Sequence, residues 1–100
     1  MTETKIVIHK WTLPMPAAEL EWIQYEFPQG TRILAVQAQY DKPCLWTLSN
    51  TEEARKTRRF FRVFATGKIY IGDLESLEYI GSVQLDGGAY VAHIFERKGE

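Results

Sequence analysis

Few residues in this chain could carry covalent chemistry. The histidines are His9 and His93, each inside a β-rich run, and the one cysteine is Cys44. A catalytic zinc takes three protein ligands, and these residues show no metal-ligand spacing, so no metal is expected. Cys44 precedes Leu45 and Trp46 in an apolar run, which suits a small buried hydrophobe. A thiol nucleophile would need an imidazole within hydrogen-bond reach, which spacing does not supply. Both histidines are read as structural or interfacial. Thr66-Gly67-Lys68 fails as a phosphate loop, because that motif needs glycine where Arg62 stands and Ser or Thr where Ile69 stands. Glu19, Glu21, Glu26, Asp73, Glu75 and Glu78 could contain a carboxylate pair, but nothing in the sequence buries one, so acid–base catalysis has no support. No catalytic residue and no cofactor is expected, and the protein is read as non-enzymatic.

The richer signal is basic. Arg55, Lys56, Arg58, Arg59, Arg62 and Lys68 are half of the 12 basic residues and lie close together in sequence. Phe60 and Phe64 share a strand face with Arg62. Arginine beside aromatic rings binds phosphates, stacks on bases or anchors a protein partner. The candidate binding residues are therefore Arg55, Arg58, Arg59, Phe60, Arg62, Phe64 and Lys68. A solvated edge strand whose charges discourage aggregation is the plainer alternative. Asp73, Glu75 and Glu78 follow at once and would offset the cluster, which weakens the case for nucleic acid relative to an acidic protein.

Short strands must position these residues. Residues 5–13 alternate, with Val7, His9, Trp11 and Leu13 on one face. Pro14-Met15-Pro16 breaks the run. Residues 17–22 suit a helical turn. Ile23, Tyr25 and Phe27 then alternate with Gln24 and Glu26, and Pro28-Gln29-Gly30 is a turn. Residues 32–40 are the clearest strand, with Leu34, Val36 and Ala38 on one face. Asp41-Lys42-Pro43 reverses the chain into a partner strand through Cys44 and Trp46. Asn50 three residues before Glu53 suggests a short helical turn. Residues 58–65 place Arg59, Phe61, Val63 and Ala65 opposite Phe60, Arg62 and Phe64. Ile69-Tyr70-Ile71 is either a short strand or an apolar loop crossing the sheet. Residues 79–85 and 89–96 flank Asp86-Gly87-Gly88, whose Asp-Gly pair suits a type I′ turn. Trp46 is expected in the core, Trp11 partly so, and Trp22 exposed.

Six or seven short strands with frequent turns predict one mainly β domain over residues 1–100, a small antiparallel sandwich or partly open barrel with one or two helical turns at most. Its 100 residues suffice for one core without staples. Twelve basic against 13 acidic residues leave a net charge of −1, unlike a protein that coats nucleic acid. A lone cysteine, no leader-like N-terminal run and no apolar stretch near ~20 residues point to the cytoplasm and away from a membrane.

Several segments together resemble a known family. They include Tyr25-Glu26-Phe27-Pro28, Ile33-Leu34-Ala35-Val36-Gln37, Pro43-Cys44-Leu45-Trp46, Phe61-Arg62-Val63 and Thr66-Gly67. Tyr79-Ile80-Gly81, Gln84-Leu85-Asp86-Gly87-Gly88-Ala89 and His93-Ile94-Phe95-Glu96 complete the order. The chain is similar, from His9 to Glu96, to a family of small uncharacterised proteins carried by bacteriophages and prophages. It departs where relatives carry Asn-Gly in place of Tyr40-Asp41, and a Gly-Thr-Gly-His-Pro run in place of residues 65–69. The resemblance implies a phage context and the host bacterial cytoplasm, without an activity. The expected function is a non-catalytic accessory protein that binds a host protein with an acidic surface, with inhibition of a defence system as its candidate role. A β module that sequesters a nucleotide or other phosphorylated ligand, and a structural homo-oligomer such as a homodimer, are the alternatives.

Overall fold

Alternating apolar residues in seven segments give seven strands. The computed structural model describes residues 3–14 and 22–99, so the helical turn expected at residues 17–22 lies almost wholly outside the described residues. The strands are β1 (Ile6–Thr12), β2 (Ile23–Pro28), β3 (Arg32–Gln39), β4 (Lys42–Asn50), β5 (Lys56–Ala65), β6 (Leu77–Leu85) and β7 (Tyr90–Arg97). They form two antiparallel sheets, ordered β1-β4-β3 and β2-β5-β7-β6. The sheets pack as a sandwich and do not close into a barrel. Two single 3-10 turns, Leu74–Ser76 and Asp86–Gly88, are the helical segments among the described residues.

Inward-facing residues meet between the sheets. Leu13, Phe27, Leu45, Phe61, Val63, Ala92 and Ile94 are almost fully buried. Trp11, as expected, is half-buried against this core, with its ring 4.9 Å from Phe27 and 5.4 Å from Tyr25. Its indole N–H donates to Thr47 Oγ1 at 2.9 Å, so its polar edge is satisfied where its rings are dry. Tyr25 donates to the Thr12 carbonyl at 2.8 Å and ties the two sheets together.

Three expectations change. β3 carries a bulge between Ile33 and Ala35, which turns Ile33 and Val36 toward the core and leaves Leu34 48% exposed. One extra residue reverses the face of everything beyond it, so Leu34 and Val36 cannot share a face. Trp46 is not in the core: Leu45 and Thr47 take the inward positions, and Trp46 is half-buried on the outer side of the three-stranded sheet. Its indole nitrogen is buried without a partner among the described residues. The Asn50–Glu53 segment is a turn rather than a helix, with Asn50 Oδ1 accepting from the Glu52 N–H at 3.0 Å.

The turns also redistribute. The β3–β4 connection is the tight two-residue turn Tyr40-Asp41, both at positive φ (52° and 61°), while Lys42 and Pro43 already belong to β4. The β6–β7 loop is longer than a two-residue turn, running from Asp86 to Ala89, yet Asp86 and Gly87 adopt the positive φ expected of a type I′ pair. The two loops touch: Asp41 Oδ1 accepts from the Asp86 N–H at 2.8 Å.

A bulky residue in the left-handed region costs about 1 kcal/mol, a cost that Asn largely avoids. Tyr40→Asn should therefore raise unfolding stability by about 0.5–1 kcal/mol, read as a higher urea midpoint at unchanged slope. A lower midpoint would mean that the exposed Tyr40 ring contributes more than its backbone costs.

Candidate functional site: the outer face of the four-stranded sheet

β5 is flanked by β2 and β7, so its inward residues are Phe61 and Val63 and its outward residues are Phe60, Arg62 and Phe64. The alternation was legible; the cover over the outer face was not. Arg62 is only 8% exposed. Its guanidinium lies 5.0 Å from the Phe64 ring centre, 5.7 Å from Tyr70 and 5.9 Å from Trp22. Trp22 is thus half-buried beneath a cation rather than exposed. Tyr70 stacks on Phe64 at 4.7 Å and its hydroxyl accepts from the Ala65 N–H at 2.9 Å. These contacts show that Ile69-Tyr70-Ile71 is a loop and pin its middle residue. Gly72 completes the lid: a Cβ there would sit 2.9 Å from an Arg62 nitrogen. The Arg62 guanidinium makes no ion pair or hydrogen bond among the described residues, so ring faces supply much of its stabilisation.

A second cation lies nearby. Arg97 stands 3.9 Å over the Phe60 ring and 5.6 Å from Trp22. Phe95 fills the space between, 5.2 Å from Phe64 and 5.4 Å from Tyr79. Beyond these rings the loop exposes Ile69 (91%), Ile71 (90%) and Leu74 (79%). Three large apolar side chains exposed within one six-residue stretch are candidates for an interaction surface.

The seven sequence candidates do not form one patch. Phe60, Arg62 and Phe64 share the outer face, and Arg58 extends it toward β2. Lys68 is exposed, with its ammonium 5.8 Å from the Tyr70 ring. Arg59 points inward, where it forms a bidentate pair with Glu96 (2.6 and 2.9 Å) and donates to the Thr31 carbonyl. Arg55 sits on the turn before β5, paired with Glu53 at 3.0 Å. That pairing lowers the Glu53 carboxyl to about 2, through the Arg55 side chain first and the Arg55 backbone N–H second. Sequence reasoning missed Trp22, Tyr70, Phe95 and Arg97. The alternation of Phe95 and Arg97 against Ile94 and Glu96 signals an outward face, but pairing Arg97 with Phe60 requires the β5–β7 register.

The remaining polar residues are quieter. His93 bridges Thr66 Oγ1 (2.7 Å) and Ser82 Oγ (2.8 Å), and Ser82 in turn meets the Tyr79 hydroxyl at 2.7 Å. No carboxylate among the described residues joins that chain of contacts. Cys44 is buried, 3.6 Å from Thr12 Oγ1. Burial raises the Tyr25 phenol above its ordinary range, and the nearby Cys44 adds to that shift. Among the described residues no three His, Cys, Asp or Glu side chains gather to hold a metal, and no helix is long and apolar enough to cross a membrane.

The chain belongs to the family of the domain of unknown function DUF7352, which matches residues 4–100. No curated protein and no solved structure matches it.

Two outcomes are expected here. Arg59→Ala leaves Glu96 without its partner and should cost about 2 kcal/mol, while Arg59→Ala/Glu96→Ala should cost less than the sum of the single changes in a urea double-mutant cycle. Equal additivity would reduce the pair to a surface contact. The Glu53 carboxyl should titrate near 2 by carbon-detected NMR and return toward its ordinary 4.5 in Arg55→Ala. Because its folded value is depressed, any stabilisation from this pair is present above about 4.5 and is lost as pH falls through about 2.

Proposed function

We propose that this DUF7352 member is a non-catalytic bacteriophage or prophage accessory protein that binds an acidic host protein through the outer face of its four-stranded sheet. Inhibition of a bacterial defence component is the role that best suits such a protein. The observation that carries the reading is the exposure of Ile69, Ile71 and Leu74 within one short segment whose Tyr70 caps the Arg62–Phe64 array, with Arg97 on Phe60 beside it. Protein interfaces favour aromatic and arginine side chains at their centre, and a guanidinium held against rings loses little freedom on meeting a carboxylate. Lys68 and Arg58 add positive charge at the margins, which favours an acidic partner and speeds its approach. The phage context rests on the sequence resemblance, and the host cytoplasm follows from it.

A second reading has its own observation. The outer side of the three-stranded sheet exposes Ile6 (63%), Ile8 (58%) and Leu34 (48%), an apolar surface that a second copy of the chain could cover.

The tagged protein, purified gently from its bacterial host and weighed by native mass spectrometry, should retain a stoichiometric host protein. Ile71→Asp/Leu74→Asp should abolish that retention with an unchanged far-ultraviolet spectrum, and Ile8→Asp should leave it intact. Loss with Ile8→Asp alone, or a bare oligomer dissolved by it, would move the function to the other sheet. A bound nucleotide without a host protein would replace both readings with ligand sequestration.

A further inference from the structure

β5 is longer than its partnership with β7. Pairing with β2 begins at Lys56, whereas pairing with β7 begins only at Phe61, opposite Glu96. Continued register would set Phe60 against Arg97 and Arg59 against Lys98. Instead β7 follows β6 alone: Arg97 stays paired with Leu77, and the Lys98 N–H donates to the Ser76 carbonyl at 2.8 Å. Residues 56–60 therefore have a partner strand on one side only. The resulting notch has a volume of about 450 Å³, with residues 57–60 on one wall, residues 96–99 on the other, and Gly30 and Thr31 closing its end.

The charges in the notch are one-sided. Among the described residues, Arg58, Arg59, Arg97 and Lys98 face it with one carboxylate, Glu96. Glu96 is already committed to Arg59, whose remaining terminal nitrogen serves the Thr31 carbonyl. Arg58, Arg97 and Lys98 form no ion pair among the described residues. Arg97 is additionally held over Phe60, 3.9 Å from its ring centre, which restrains it before anything binds. A concave site whose described lining carries a net charge of +3, in a chain whose net charge is −1, concentrates a positive field where backbone hydrogen-bonding groups lack a strand partner. A phosphate alone would meet the charges and leave the strand edge unused. An extended acidic segment satisfies both, through main-chain ladder bonds to β5 and alternate carboxylates toward the cations.

We infer that the notch beside residues 57–60 receives an extended acidic segment of the partner polypeptide as a short added strand, held by Arg58, Arg97 and Lys98. This rests on the reading of an acidic protein partner and names how one part of that partner is gripped.

The test uses the full ¹⁵N-labelled protein and an acetylated, amidated peptide of sequence Glu-Thr-Glu-Val-Glu-Thr, with its lysine-for-glutamate counterpart as control. The acidic peptide should shift the amide signals of residues 57–60 and slow exchange of those that face the notch. Arg58→Glu/Lys98→Glu, both exposed changes, should weaken binding at least about tenfold, and raised salt should do the same. No response at residues 57–60, or an equal response to the lysine peptide, overturns the inference. Host-protein retention separates the two failures. Retention that survives Arg58→Glu/Lys98→Glu and falls with Ile71→Asp/Leu74→Asp leaves the outer-face reading standing and removes the notch. Peptide binding at residues 57–60 without any retained host protein supports the notch and removes the host partner.

Discussion

β5 is buried on both faces, and that constraint organises everything around it. Phe61, Arg62 and Val63 are three consecutive buried residues, of which Arg62 alone keeps a small accessible edge, at 8%. A strand inside a two-layer sandwich normally presents one side to solvent. Here a third, partial layer made by Trp22 and the segment between β5 and β6 lies over the outer side. The buried cation at its centre is what makes this layer specific. A charge withdrawn from water without a counter-ion would be very costly, and three ring faces arranged around the Arg62 guanidinium offset part of that cost. Gly72 and Tyr70 hold their places because the guanidinium and Phe64 require them there.

The same segment pays for its tight middle with loose flanks. Tyr70 is stacked and hydrogen-bonded, whereas Ile69 and Ile71 on either side point outward almost completely. In a strand or loop, neighbouring side chains diverge, so anchoring one residue displays the next. The apolar surface is thus a geometric product of the lid, and it is presented on a pinned rather than a slack piece of chain. That matters for binding, because little backbone freedom is left to lose on association.

Much of this was legible in the sequence. Alternation located β1, β2, β5 and β7 and assigned both faces of β5, since each of these strands keeps period two through its central residues. The failures share a cause. Period-two reading groups Leu34 with Val36, whereas the bulge separates them and leaves no turn signal in Ile33-Leu34-Ala35. Trp46 is expected in the core, yet alternation with inward Leu45 sends it outward and Thr47 inward, where Trp11 satisfies the Thr47 hydroxyl. The basic cluster looked continuous because sequence proximity hides alternation: Arg58 and Arg59 leave opposite sides of one strand. Arg97 could not be joined to Phe60 by any local pattern, since 37 residues separate them and only the β5–β7 register brings them together.

One contact between the sheets ties two distant positions together. β3 and β6 each carry a bulge, at Ile33/Ala35 and at Tyr79/Gly81, and the bent strands approach closely where Gly81 faces Val36. A Cβ on Gly81 would lie 3.2 Å from that of Val36, closer than side chains ordinarily pack. Neither residue is therefore free to drift alone over evolutionary time. A side chain can enter at 81 most readily in a lineage where 36 has first become smaller, so across the family these two sites should vary as a correlated pair, with glycine at one permitting bulk at the other.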